Sequence, residues 1–210
     1  LWSEIYNGKY TTEIFEFQSN VAKRVASSLN AVITPQEEKR IDVKTNSEML
    51  AYDLCSRGEE MVREWRYTRD SLNLKLALNL FNQALKIDPK FINAFDNKGM
   101  AYTEAGKYDS ALIMHDKVQE LDPAGYTSAA GKSYIYLVSN KPDSAFKYSK
   151  IAVDQAPNDP WINFSMGHVY FYFKDEVSNG LLYYQKAYNL GGDQEPEINQ
   201  TISNIYYCIG

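Results

Sequence analysis

Two histidines, His115 and His168, and two cysteines, Cys55 and Cys208, are the side chains in this 210-residue sequence most suited to nucleophilic, acid–base or metal chemistry. Their spacing supports none of it. The histidines fall on different segments of a repeating pattern, and no His/Cys/carboxylate group has metal-ligand spacing. No phosphate-cradling glycine loop or nucleophile elbow is present. Lys174-Asp175-Glu176 reads as a solvated turn, and His115 falls at a core place of a helix, where a packed structural histidine is the plain reading. The sequence therefore predicts no enzyme, no metal and no cofactor. What remains is recognition by a surface.

The elements that would build such a surface are written as a repeat. Pro89, Pro123 and Pro157 stand 34 residues apart. Behind them, at fixed offsets, lie Ala77, Phe81 and Ala84, then Ala111, His115 and Val118, then Ala145, Ser149 and Ala152. Each triple marks one face of a helix that the proline ends. Repeats are expected over about 51–89, 92–125, 126–159 and 160–193, with a capping or partial helix at 195–210. In the first helix of each, a small residue (Gly58, Gly99, Ser133, Gly167) lets the second helix cross closely. Gly58 to Ala77 is nineteen residues where the pattern calls for twelve, so seven extra residues are expected around Arg66–Asp70. Gly167 to Gly180 is thirteen, which places one extra residue in the Lys174-Asp175-Glu176 turn.

Composition bounds the partners. Hydrophobic residues make up 44% and aromatics 14%, which suits a packed chain rather than a disordered one. A net charge of -5 with no Lys/Arg cluster argues against direct nucleic-acid contact. No apolar run reaches the ~20 residues of a membrane helix, and no signal peptide is evident. Successive repeats stack away from one another, so Cys55 and Cys208 are not expected to pair. Two cysteines fit a reducing compartment without excluding a periplasm. The chain begins at Leu1, not Met, and reads as a piece of a longer polypeptide.

Ahead of the repeats, residues 1–6 read as a short strand. Thr12 caps a helix of about 12–30, whose apolar stripe runs through Ile14, Phe17, Val21 and Val25. An apolar stripe of that size predicts an interface: a sheet outside the given sequence, or failing that the first repeat, a second chain or nothing. Thr34-Pro35-Gln36-Glu37 starts a second, short helix with a capping box. The stretch from Asp42 to Asn46 is largely polar and carries no pattern, so 43–47 reads as a linker, and a long helix is expected from about Ser47 to Arg66.

The 34-residue pattern resembles tetratricopeptide-repeat proteins over about 51–210. Leu1-Trp2-Ser3-Glu4-x-Tyr6, Ile14-Phe15-x-Phe17-Gln18 and Thr34-Pro35-Gln36-Glu37 are similar to the end of the TolB-like amino-terminal domain of bacterial signalling and transcriptional regulators. The first resemblance implies an all-α, right-handed superhelical solenoid of about four repeats with an N-terminal helical extension. It implies that the first helices line a concave groove, with Asn93, Asn97, Met100, Tyr134, Trp161, Phe164 and His168 facing a protein or peptide ligand. The stronger alternative is that Trp161 and Phe164 pack against a neighbouring helix, or against the N-terminal segment folded back into the groove. Of the Lys/Asn clamp that some relatives use for terminal carboxylates, only Asn97 matches. Cys55, Glu59, Thr127 and Gly131 stand at other clamp places, so capture of a terminal carboxylate is not expected.

The second resemblance implies that residues 1–46 are the tail of a TolB-like domain and that 47–210 form the repeat domain. The chain would then be a sensory or scaffolding module of a bacterial regulator. The alternative is a free-standing adaptor for an envelope or secretion complex. The compartment stays open: cytoplasmic, or periplasmic behind an upstream membrane helix.

Overall fold

The computed structural model describes residues 17, 20–21, 23–25, 34–174, 176–191 and 196–209. Among them there is no strand. The helices are α1 (Pro35–Thr68), α2 (Ser71–Ile87), α3 (Ile92–Glu104), α4 (Tyr108–Leu121), α5 (Thr127–Val138), α6 (Pro142–Gln155), α7 (Pro160–Phe173), α8 (Val177–Asn189) and α9 (Pro196–Ile209). The chain clusters into two compact units, Leu1–Asn97 and Lys98–Gly210.

The strand expected over 1–6 lies outside the described residues. Of the helix expected over 12–30, Phe17, Asn20, Val21, Lys23, Arg24 and Val25 are described, and they are helical. The capping box at Thr34 forms: Glu37 N donates to Thr34 Oγ1 and Thr34 N donates to the Glu37 carboxylate. The helix it opens is not short. It runs unbroken for 34 residues, straight through the stretch expected to be a linker. Residues 44–47 are polar, but the stretch 43–47 includes neither Gly nor Pro, and a polar sequence without a stop signal continues a helix already begun.

The seven extra residues of the first repeat also become helix. α1 extends to Thr68, Arg69 takes the left-handed conformation at φ 56°, and Asp70 accepts from Leu72 N to start α2 six residues ahead of Ala77. In the second repeat α4 starts only three residues ahead of Ala111. The extra residues thus lengthen both helices around a two-residue turn.

The buried faces of the second helices are those marked by the prolines. In α2, α4 and α6 the buried residues are Ala77, Phe81 and Ala84; Ala111, His115 and Val118; Ala145, Ser149 and Ala152. In α8 they are Gly180, Tyr184 and Ala187. The middle member of each set covers the small residue of its own first helix. A Cβ at Gly58 would lie 2.5 Å from the Phe81 ring, one at Gly99 2.7 Å from His115 Nε2, and one at Gly167 2.7 Å from the Tyr184 ring. The third repeat uses a different device, a hydrogen bond between the Ser133 and Ser149 hydroxyls.

The turns repeat as well. Gly106 and Asn140 are equivalent places at φ 71° and φ 56°. The amide after each donates back to a tyrosine carbonyl: Lys107 to Tyr102 and Lys141 to Tyr136, both at 2.8 Å. In the fourth repeat the corresponding donor to Tyr170 is Glu176, one residue further along, at 3.2 Å. That is the extra residue expected there. α9 packs on α8 through Ile198, Ile202 and Ile205 against Tyr184 and Ala187.

Candidate peptide-binding faces

The predicted recognition residues fall in both units. Asn93 and Asn97 belong to the first, and Met100, Tyr134, Trp161, Phe164 and His168 to the second.

In the first unit Asn97 is already engaged. Its amide donates to Glu59 Oε1 at 2.7 Å and approaches Cys55 Sγ at 3.5 Å. Asn93, a turn earlier, is exposed. Burial pushes Asp96 up to about 6, and the Glu59 charge adds to the shift. Burial also raises the Glu59 carboxyl and pushes the Cys55 thiol up to about 11, against the lowering effect of the Asn97 hydrogen bond. Two carboxyl groups, Glu59 and Asp96, thus accompany Asn97 in this patch. Asn97 was legible as a polar contact. That Glu59 and Cys55 hold it was not, because the contact joins helices distant in sequence.

In the second unit the face is aromatic. Trp161, Phe164 and His168 form a ladder along α7. Trp161 meets Phe164 edge-on at 5.9 Å, and Phe164 meets His168 at 4.5 Å between ring centroids. His168 continues to Tyr172 at 5.5 Å. The ladder is pinned from behind by Tyr184, 5.7 Å from Phe164 and 5.4 Å from His168. Trp161 keeps 38% of its surface exposed, Tyr134 37% and Tyr172 59%. Phe164 and His168 are half-buried, and Phe164 also packs on the α8–α9 core. The two expectations for this residue pair thus divide: Phe164 packs against a neighbouring helix while Trp161 stays open.

α7 carries no Asp, Glu, Lys or Arg. Its one ionisable imidazole, His168, is shifted below the ordinary histidine range by burial, partly opposed by its hydrogen bond with the Phe164 carbonyl. The cation of α5, Lys132, is nearly buried and paired to Asp116 at 2.8 Å. Of the two helices, α7 thus carries no Asp, Glu, Lys or Arg and α5 carries only this paired lysine. Tyr172 was not singled out from sequence. Tyr172 sits one repeat after Val138, and that 34-residue offset was the available signal. Met100 is half-buried on α3. Among the described residues no group of three His, Cys, Asp or Glu could hold a metal, and no helix is long and apolar enough to cross a membrane.

Helix pairs recurring at 34 residues, with the small-over-ring crossing, define the tetratricopeptide-repeat solenoid fold. Solved structures agree. The chain is similar to TTC0263, a thermophilic tetratricopeptide-repeat protein of Thermus thermophilus, at 19% identity over 73% of this chain and 83% of that one, with a TM-score of 0.58. It is similar to an O-GlcNAc transferase mutant of Thermobaculum terrenum at 13% identity and TM-score 0.51, over 65% of this chain but 26% of that longer one. A looser likeness, TM-score 0.48 at 18% identity, covers 89% of this chain and 98% of MamA from Desulfovibrio magneticus RS-1. No family model matches the sequence.

Proposed function

We propose that the chain is a protein-interaction module that works by presenting helix faces and performs no chemistry of its own. The observation that carries this reading is the ladder on α7: half-exposed aromatics held rigid by packing, on a helix without charged side chains. Rigid aromatics bind at low entropic cost, and a helix face without charged side chains loses little hydration when covered. The ligand is a peptide or protein segment whose apolar side chains fit between Trp161 and Tyr134.

In its wider setting the module belongs to a bacterial signal-transduction or transcriptional regulator, as sensor or scaffold. Residues 1–46 are the tail of a TolB-like domain, and the resemblance in those residues supports this part. Occupation of the ligand face, or self-association through residues 12–30, would shift the arrangement of output domains outside the chain.

A photo-crosslinker placed at Tyr134 tests the binding reading. It should capture a discrete partner that Trp161→Ala abolishes, with the melting temperature unchanged. Capture that is indifferent to Trp161 would end it. The reading frame upstream of Leu1 tests the regulator setting separately.

A further inference from the structure

The imidazole of His168 is more than a rung of the α7 ladder, because the structure fixes which of its nitrogens carries the proton. Nδ1 lies 3.2 Å from the Phe164 carbonyl, four residues back on the same helix. A carbonyl can only accept, so Nδ1 is the donor. Burial holds the imidazole below its ordinary range, and the ring is neutral at neutral pH. In that tautomer Nε2 keeps its lone pair. Nε2 has no hydrogen bond among the described residues, and it is not sealed from solvent as the hydroxyl of neighbouring Tyr184 is. The ladder thus presents an acceptor of fixed identity.

The surroundings limit what can donate to it. The imidazole is bordered by the rings of Phe164 at 4.5 Å, Tyr184 at 5.4 Å and Tyr172 at 5.5 Å. Neither α7 nor α5 carries a carboxylate. An ammonium or guanidinium would find no counter-charge on either helix and would give up hydration to reach Nε2. A backbone or side-chain amide brings a carbonyl along with its N–H, and that carbonyl must be desolvated too. A serine or threonine hydroxyl offers the rings little apolar surface. Tryptophan fits. Its indole N–H donates and accepts nothing, and the rest of the side chain is a flat apolar body suited to aromatic edges and faces.

We propose that His168 sets the specificity of this face by accepting a hydrogen bond from the indole N–H of a tryptophan in the bound protein segment. The proposal rests on the ladder being a binding face, and it adds what the segment must carry. A phenylalanine at 168 would keep a ring in the ladder and lose the acceptor.

The probe is a capped pentapeptide of sequence Leu-Ala-Trp-Ala-Leu. Its comparator carries benzothienylalanine at the centre, where sulfur replaces the indole N–H at nearly the same shape. Both are titrated into the 210-residue chain labelled with nitrogen-15 histidine. The chain has two histidines and His115 is fully buried, so the His168 resonances are readily assigned. The tryptophan peptide should bind saturably, displace the Nε2 resonance more than the Nδ1 resonance, and bind at least about fivefold more tightly than its comparator. In His168→Phe the two peptides should bind equally, with circular dichroism and melting temperature certifying the fold. Equal binding to the parent chain, or a preference that survives His168→Phe, overturns the hydrogen bond. If both peptides are nevertheless lost in Trp161→Ala, the binding face stands without it. No saturable binding of the tryptophan peptide also overturns the proposal, and the Tyr134 crosslink then judges the face by itself. An Nε2 resonance already displaced in the chain alone, and restored by Trp2→Phe, would seat the chain's own tryptophan there and overturn the partner.

Discussion

The hydroxyls of Ser133 and Ser149 are hydrogen-bonded to each other at the point where every other repeat sets an aromatic or imidazole ring against a glycine. Two small polar residues replace one large and one absent side chain, so the third repeat is held at its crossing by a bond rather than by a ring. The exchange should be reversible only as a pair. Ser149→Phe alone should cost about 1–3 kcal/mol, because the Ser133 Cβ occupies the space the ring needs. Ser133→Gly alone should cost about 1 kcal/mol through helix propensity and the orphaned partner hydroxyl. Together they should cost less than the sum by more than about 0.5 kcal/mol. Urea unfolding of the four proteins reads this; strict additivity would show that the serines do not define the crossing.

His115 gives the fold an acid sensitivity. Its ring is fully buried between Gly99 and Gly131. Burial first, then the Lys132 charge, push it down to about 4, while Asp116 pulls the other way. The unfolded chain titrates near 6.5 and so binds more protons than the folded one between those values. The histidine's contribution to stability should fall as pH drops from about 6.5 to about 4 and level off below, by up to about 3 kcal/mol. Asp96, raised to about 6, has the opposite slope: its contribution is present at low pH and lost as pH rises through that value. Melting temperatures of the protein and His115→Phe, compared at each pH, isolate the histidine. The difference should grow in favour of the phenylalanine variant on acidification; a constant difference would refute the buried neutral imidazole.

Tyr184 spends a hydroxyl inside the core. The group is buried with no hydrogen-bond partner among the described residues, and burial raises its pKa well above the ordinary tyrosine range. Phe81 fills the equivalent place without one. Tyr184→Phe should therefore leave stability unchanged or raise it by about 1 kcal/mol. A loss beyond that, seen by calorimetry, would mean the hydroxyl has work to do at the foot of the aromatic ladder.

Cys55 should be a slow thiol. It is 2% exposed, with a pKa of about 11, and only the thiolate attacks. With Cys208→Ser removing the other sulfur, Ellman's reagent should leave the folded protein unmodified at pH 8 and titrate one thiol in denaturant. Rapid labelling of the folded protein would contradict the burial. Asn97→Ala removes the hydrogen bond that lowers the pKa, and should not speed the reaction.

The solenoid was readable because its constraints are periodic. Pro89, Pro123 and Pro157 fix the helix ends, and the triples behind them turn out to be the buried faces. The extra residue before Val177 was legible as an offset in spacing and appears as a longer turn bond. Residues 43–47 were misread because polar residues were equated with a loop, although only Gly, Pro or a competing side-chain bond stops a helix. The seven extra residues near Arg66 were legible as a count, but spacing gives their number and not their conformation. The face residues were named one by one from the repeat. Their state was hidden, because whether Asn97 is free or held by Glu59, and whether Phe164 is open or packed, depends on helices distant in sequence.

The unbroken α1 has a mechanical consequence. Its 34 residues rise about 50 Å at 1.5 Å each. A helix is stiff in torsion, so the azimuth of Pro35 is locked to that of Ala51 and the first repeat. One residue added in the 43–47 stretch would swing the far end by about 100°, whereas a near-integral number of turns would restore its heading. For whatever that end carries, the count of residues in that featureless stretch is a dial setting.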